Sequence, residues 1–116
     1  MAQKTAQDMV VANAAIWSHY LHAIGKHPHF ADVICKPNSL TDWRTDAAVL
    51  KAKIQEFETR GEDVTAHSVL MAELYEVFAA YCAGDIAQAR YEVLDAIAVL
   101  LRIDDMLAKM QETQNG

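Results

Sequence analysis

Two acidic pairs mirror each other about one short turn, and few folds accommodate that arrangement. The chain reads Glu73-Leu-Tyr-Glu76, then Gly84-Asp85, then Glu92-Val-Leu-Asp95. Glu76 and Glu92 each stand eight residues from Gly84, and Glu73 and Asp95 each stand eleven from it. If both flanks are helical and fold back antiparallel, equidistant residues share one height. At about 1.5 Å per residue the two acidic levels fall roughly 12 and 16 Å from the turn. Each i, i+3 pair then faces the other. Carboxylates that close repel unless a cation lies between them, and ligation by oxygen alone suits Mg2+, with Mn2+ as the second choice.

The rest of the chain fits a helical frame around that hairpin. Its 116 residues are 53% hydrophobic, with only four glycines and two prolines, which predicts one all-α domain spanning residues 1–116. Four helical segments are expected. The first runs from about Thr5 to Ile24, with Met9, Val10, Ala14, Trp17, Leu21 and Ile24 near a 3.6-residue period, and is stopped by Gly25 and Pro28. The second starts at a Thr41 or Ser39 cap and ends before Gly61, with Trp43, Ala47, Leu50, Ile54 and Phe57 on one face. The third runs from near Asp63 or Thr65 to Ala83, striped by Leu70, Leu74, Val77, Phe78 and Tyr81. Gly84 reads as its C-terminal cap and Asp85 as the N-cap of the fourth, which reaches about Gln111 before a frayed end. The architecture expected is a four-helix, bundle-like domain whose last two helices form an acidic antiparallel hairpin over about residues 64–110.

The fourth helix contains a local contradiction. From Val93 to Ile103 it is apolar nearly all round, which predicts burial on most sides, within the subunit or against another copy. Asp95 interrupts that run, and a buried carboxylate needs a basic residue, a proton or a metal beside it. Three further carboxylates at matching heights favour the metal. On a helical wheel all four fall beside the main apolar stripe, at the rim of the core.

Charge and composition remove several classes of function. A net charge of −6 disfavours nucleic acid and anionic membrane as partners. No apolar run is long enough to span a bilayer and no signal peptide is evident, so a cytoplasmic location is expected. Cys35 and Cys82 lack CxxC spacing and read as free thiols. His19 and His22, or His27 and His29 around Pro28, offer a zinc site no completing ligand. A ferritin-like di-iron centre requires Glu-x-x-His motifs, which are absent from this chain.

Glu73-x-x-Glu76, the sixteen-residue step to Glu92, and Glu92-x-x-Asp95 resemble the signature of the MazG-like all-α nucleoside triphosphate pyrophosphohydrolases. The likeness covers residues 66–108, where an acidic helix, a Gly-Asp turn and an acidic-then-apolar helix follow one another; residues 1–60 match only in being helical. It implies a magnesium-dependent hydrolase that cleaves a nucleotide between its α- and β-phosphates, giving a monophosphate and pyrophosphate. By residue, it implies metal-binding and catalytic roles for Glu73, Glu76, Glu92 and Asp95. It also implies a homodimer or homotetramer. Arg102, two turns beyond Asp95, is the candidate for phosphate, with Arg44, Lys51 and Lys53 as further cations. Phe30, in the His-Pro-His-Phe loop, is the candidate for stacking on a base. The alternative is a non-catalytic helical module that keeps the skeleton for binding or oligomerisation.

Overall fold

The computed structural model describes residues 6–29, 33–36 and 42–115. Among these residues every regular element is an α-helix: α1 (Ala6–Lys26), α2 (Trp43–Thr59), α3 (Ala66–Cys82) and α4 (Ile86–Asn115). The chain is thus all-helical, as expected. It divides into two compact units, Met1–Val33 and Ile34–Gly116.

The first unit holds α1. Gly25 does not end this helix but sits in its last turn, and the His27 N–H still donates to the Ala23 carbonyl at 2.8 Å. One interior glycine costs a helix only about 1 kcal/mol, whereas Pro28 bars helical geometry at the residue before it. Trp17 and Tyr20 meet edge to face at 5.2 Å. The expected apolar stripe, Trp17, Leu21 and Ile24, is exposed.

In the second unit, capping chemistry sets each boundary. Asp42 caps α2, accepting from the Arg44 N–H at 3.1 Å and from the Thr45 hydroxyl at 3.4 Å. The expected caps Thr41 and Ser39 lie outside the described residues. Thr65 caps α3, its Oγ1 accepting from the Ser68 N–H at 3.2 Å. At the far end of α3, Gly84 adopts φ +80°. Its N–H donates to the Tyr81 carbonyl, while the Asp85 N–H reaches back to Ala80 at 2.9 Å. Asp85 then caps α4 by accepting from the Gln88 N–H at 3.1 Å. α4 continues past Gln111 to Asn115, because no glycine or proline intervenes before Gly116.

Three residues between α3 and α4 leave room only for antiparallel neighbours. α3 packs against both α2 and α4, whereas α2 and α4 do not pack on each other. Among the described residues the buried apolar ones are small: Ala47, Ala72, Val77, Ala89 and Ala96. They allow close approach of the helix axes, and half-buried Leu50, Ile54, Leu70, Leu74 and Phe78 flank them. Trp43 rests on Tyr75 and Phe78, with ring centroids 5.8 and 5.1 Å away. This closes the N-terminal end of α2 onto α3.

α4 departs from expectation. Only Ala89, Glu92 and Ala96 are buried on it, while Ile86, Val93, Leu94, Ile97, Leu100 and Leu107 are exposed. Within this unit α4 has one helical neighbour, which covers one face of an apolar helix and leaves the other bare.

The glycine turn is open to test. A Cβ on Gly84 would meet no atom within 4 Å, so Gly84→Ala adds only the backbone strain of positive φ, about 1 kcal/mol. The expected result in thermal denaturation is a Tm lowered by roughly 4–8 °C with the helical circular dichroism unchanged.

Candidate metal centre

Residues 89, 92, 96 and 99 follow the three- and four-residue steps of one helix face, and this face of α4 meets α3. Glu92 therefore lies in the middle of the seam, between Ala89 and Ala96, and keeps only 8% of its surface exposed. Asp95 is offset toward the rim and half-buried. Sequence reasoning assigned the buried carboxylate to Asp95; it belongs to Glu92. The error has a physical source: the apolar run around Asp95 lies partly on the exposed side of α4, so local hydrophobicity did not mark the packed face.

One oxygen of Glu92 is satisfied. Gln88, one turn earlier on α4, donates from Nε2 to Glu92 Oε1 at 2.7 Å. The other oxygen, Oε2, is buried and has no hydrogen-bond partner, and the same is true of Glu73 Oε2. Oxygens of Glu73, Glu92 and Asp95 all lie within 4.8 Å of one another. The structure thus brings three of the four candidates to one point, joining the third turn of α3 to the third turn of α4.

Glu76 stands beside the trio with a different partner. It forms an ion pair with Lys51, which projects from α2. Burial works most strongly against ionisation of Glu76, but the hydrogen bond and charge of Lys51, together with hydrogen bonds from Glu92 and Glu73, outweigh it and hold the carboxyl below its ordinary value. Lys51 is raised in turn, chiefly by its hydrogen bond to Glu76 and that charge, with Glu92 and Glu73 adding to the negative field.

The remaining carboxyls respond to crowding. Burial and then the negative charge of Glu76 raise Glu73. Glu92 is pushed up to about 7 by burial first and by the Glu76 carboxylate next, against the opposing donation from Gln88. Carboxylates only accept hydrogen bonds, so the orphan oxygens cannot satisfy one another. A proton or a cation between them can.

The donor set fits a hard divalent ion. Mg2+ and Ca2+ bind oxygens at about 2.0–2.6 Å, so opposite ligands stand roughly 4.2–5 Å apart. Glu73, Glu92 and Asp95 fall within that span, two of them from the i, i+3 pair on α4.

Other candidates sit elsewhere. Arg102 is exposed and lines a cavity of about 210 Å3 with Val64, Val69 and Val99. Phe30 lies outside the described residues. Lys51 and Glu73 line a cavity of about 450 Å3 between α2 and α3, with Ile54, Gln55 and Ala72. A roomier cavity of about 560 Å3, lined by Asp46, Lys53, His67 and Tyr75, contains none of the four carboxylates. Sequence reasoning missed Gln88, although its i, i+4 spacing to Glu92 is a readable signal. Lys51 was one of several cations on its helix, and nothing local distinguished it. Compared with known proteins, the chain matches no family model, no curated protein and no solved structure.

A pH dependence follows. Folded Glu92 keeps its proton up to about pH 7, against an ordinary value of 4.5. Between those values the folded state binds more protons than the unfolded chain, so stability falls as pH rises through the window. Glu73 acts in the same direction, and the depressed Glu76 acts below it. In chelator the Tm is expected to be higher at pH 5 than at pH 7.5, by an amount worth up to about 3 kcal/mol. In Glu92→Gln that fall shrinks sharply; an unchanged pH profile in this variant would remove Glu92 as its source.

Proposed function

We propose that the protein is a magnesium-dependent nucleotide pyrophosphohydrolase of the MazG-like kind. It converts a nucleoside triphosphate, or a related nucleotide, to monophosphate and pyrophosphate, in the service of nucleotide-pool house-cleaning. The observation that carries this reading is Glu92 Oε2, a buried carboxylate oxygen with no donor, facing a cluster whose other members also only accept. A chain that only needed to pack α3 on α4 gains nothing from an acid at the centre of the seam.

Glu73, Glu92 and Asp95 would hold the ion. Mg2+ or Mn2+ bound there supplies Lewis-acid chemistry, neutralising phosphate charge and acidifying a water. Glu76, ionised and outside the trio, is suited to orient that water and accept its proton. Lys51, with 62% of its side chain exposed, exchanges its Glu76 contact for a phosphate oxygen. The cavity between α2 and α3 that Lys51 and Glu73 line offers room for the polyphosphate. Attack of water at the α-phosphorus breaks the bridging P–O bond, and pyrophosphate leaves.

One observation favours a second reading. The bare apolar face of α4, with Leu94 64% exposed, suits a helical module whose task is to bind or oligomerise. The same face serves the enzyme if it works as a homodimer or homotetramer.

Pyrophosphate release from a panel of canonical and modified nucleoside triphosphates tests the proposal, with Mg2+, Mn2+ and chelator compared. Metal-dependent release is expected, reduced at least about 100-fold in Asp95→Ala and in Glu92→Gln. Mg2+ is also expected to raise the Tm at pH 7.5 in the native protein but not in those variants. A folded protein that releases nothing and whose Tm ignores metal belongs to the second reading.

A further inference from the structure

Cys35 and Cys82 stand 47 positions apart in the chain, yet their sulfurs lie 3.9 Å from each other. Neighbouring contacts hold them there. The Ile34 N–H donates to the Tyr81 hydroxyl at 3.3 Å, directly before one cysteine and directly before the other. On the far side, Trp43 Nε1 donates to the Lys36 carbonyl at 3.4 Å, and the Trp43 ring is itself fixed on Tyr75 and Phe78. Residues 34–36 are thus laid across the C-terminal end of α3, with the two thiols at the centre of the strip. Both are reduced. Neither belongs to the carboxylate cluster.

We propose that Cys35 and Cys82 form a reversible redox site, closing to an intramolecular disulfide when a peroxide is the oxidant. Cys82 is exposed and Cys35 half-buried, so Cys82 is the sulfur the oxidant reaches. Its thiolate attacks one peroxide oxygen; the O–O bond breaks, and a sulfenic acid and water result. Cys35 then gives up its proton and attacks the Cys82 sulfur. The S–S bond forms, the S–O bond breaks, and the departing hydroxide takes a proton to become a second water. The two thiols lose two electrons and two protons in all, and the peroxide accepts them. Burial, first, and the neighbouring Cys82 raise the Cys35 thiol above its ordinary value, which suits it to the second step rather than the first. The sulfurs must approach by roughly 2 Å to reach bonding distance. Side-chain rotation on an exposed helix end meets that demand.

The product fastens the segment around Cys35 to the end of α3. It closes a long loop that contains all of α2, the case in which a cross-link restricts the unfolded chain most. The experiment treats the full chain with a small excess of hydrogen peroxide and follows intact mass, free thiols and Tm. Expected are a mass lower by two hydrogens, loss of both alkylatable thiols in a monomeric chain, and a Cys35–Cys82 cross-linked peptide. A rise in Tm of about 10 °C, reversed by dithiothreitol, accompanies them. Cys35→Ser, which retains the outer cysteine, is expected instead to accumulate sulfenic acid at Cys82. Peroxide-treated native protein that keeps both thiols, carries sulfinic acid at Cys82, or cross-links only between chains overturns the proposal.

Discussion

An acid at the centre of a helix–helix seam is the constraint around which the second unit is arranged. Glu92 occupies a position whose neighbours on the same face, Ala89 and Ala96, are buried alanines. Their small side chains bring α3 close enough for Glu73 to reach Glu92, and the same closeness strips water from the acid. Gln88 answers one of its oxygens and leaves the second unanswered. Lys51 takes Glu76 out of the contest by pairing with it from α2. What remains is three carboxyls competing for one proton or one cation. The electrostatic problem is therefore solved by two helices and supervised by a third.

Much of this was legible in the chain. Counting outward from Gly84 set Glu76 level with Glu92 and Glu73 level with Asp95; the structure gathers Glu73, Glu92 and Asp95 and gives Glu76 to Lys51, while the Gly84-Asp85 turn behaves as its residue chemistry requires. The start of α3 was legible only as near Asp63 or Thr65, and Thr65 takes the cap because its hydroxyl accepts from the Ser68 N–H. The depth of each carboxylate was not legible. Asp95 and Glu92 differ by less than one helical turn, and only the direction from which α3 approaches decides which is inside. Gly25 misled because glycine ends helices through a left-handed turn, a role that position does not take. The nearness of Cys35 to Cys82 depends on Trp43, Tyr75 and Tyr81 acting together, and no window of sequence contains all of them.

α3 carries most of the connections. Glu73 and Glu76 look from it toward α4 and α2, Tyr75 and Phe78 seat Trp43, and Tyr81 and Cys82 receive the segment before α2. Its two neighbours do not touch, so a change in one reaches the other only through α3. The carboxylate cluster on one flank and the cysteine pair at one end share this scaffold without sharing residues.

In the second unit each helix packs only on the helix beside it in sequence. Most of its contacts are local, and such topologies assemble quickly, by zipping rather than by long searches. Closure of α3 on α4 is the exception to easy assembly, because it drives Glu73, Glu92 and Asp95 together while water leaves. Above neutral pH this closure resembles bringing like magnetic poles into register, and the barrier belongs to charge rather than to chain entropy. A proton or an ion that enters early removes that barrier. The acid at the centre of the seam is then also the charge that the closing helices must accommodate.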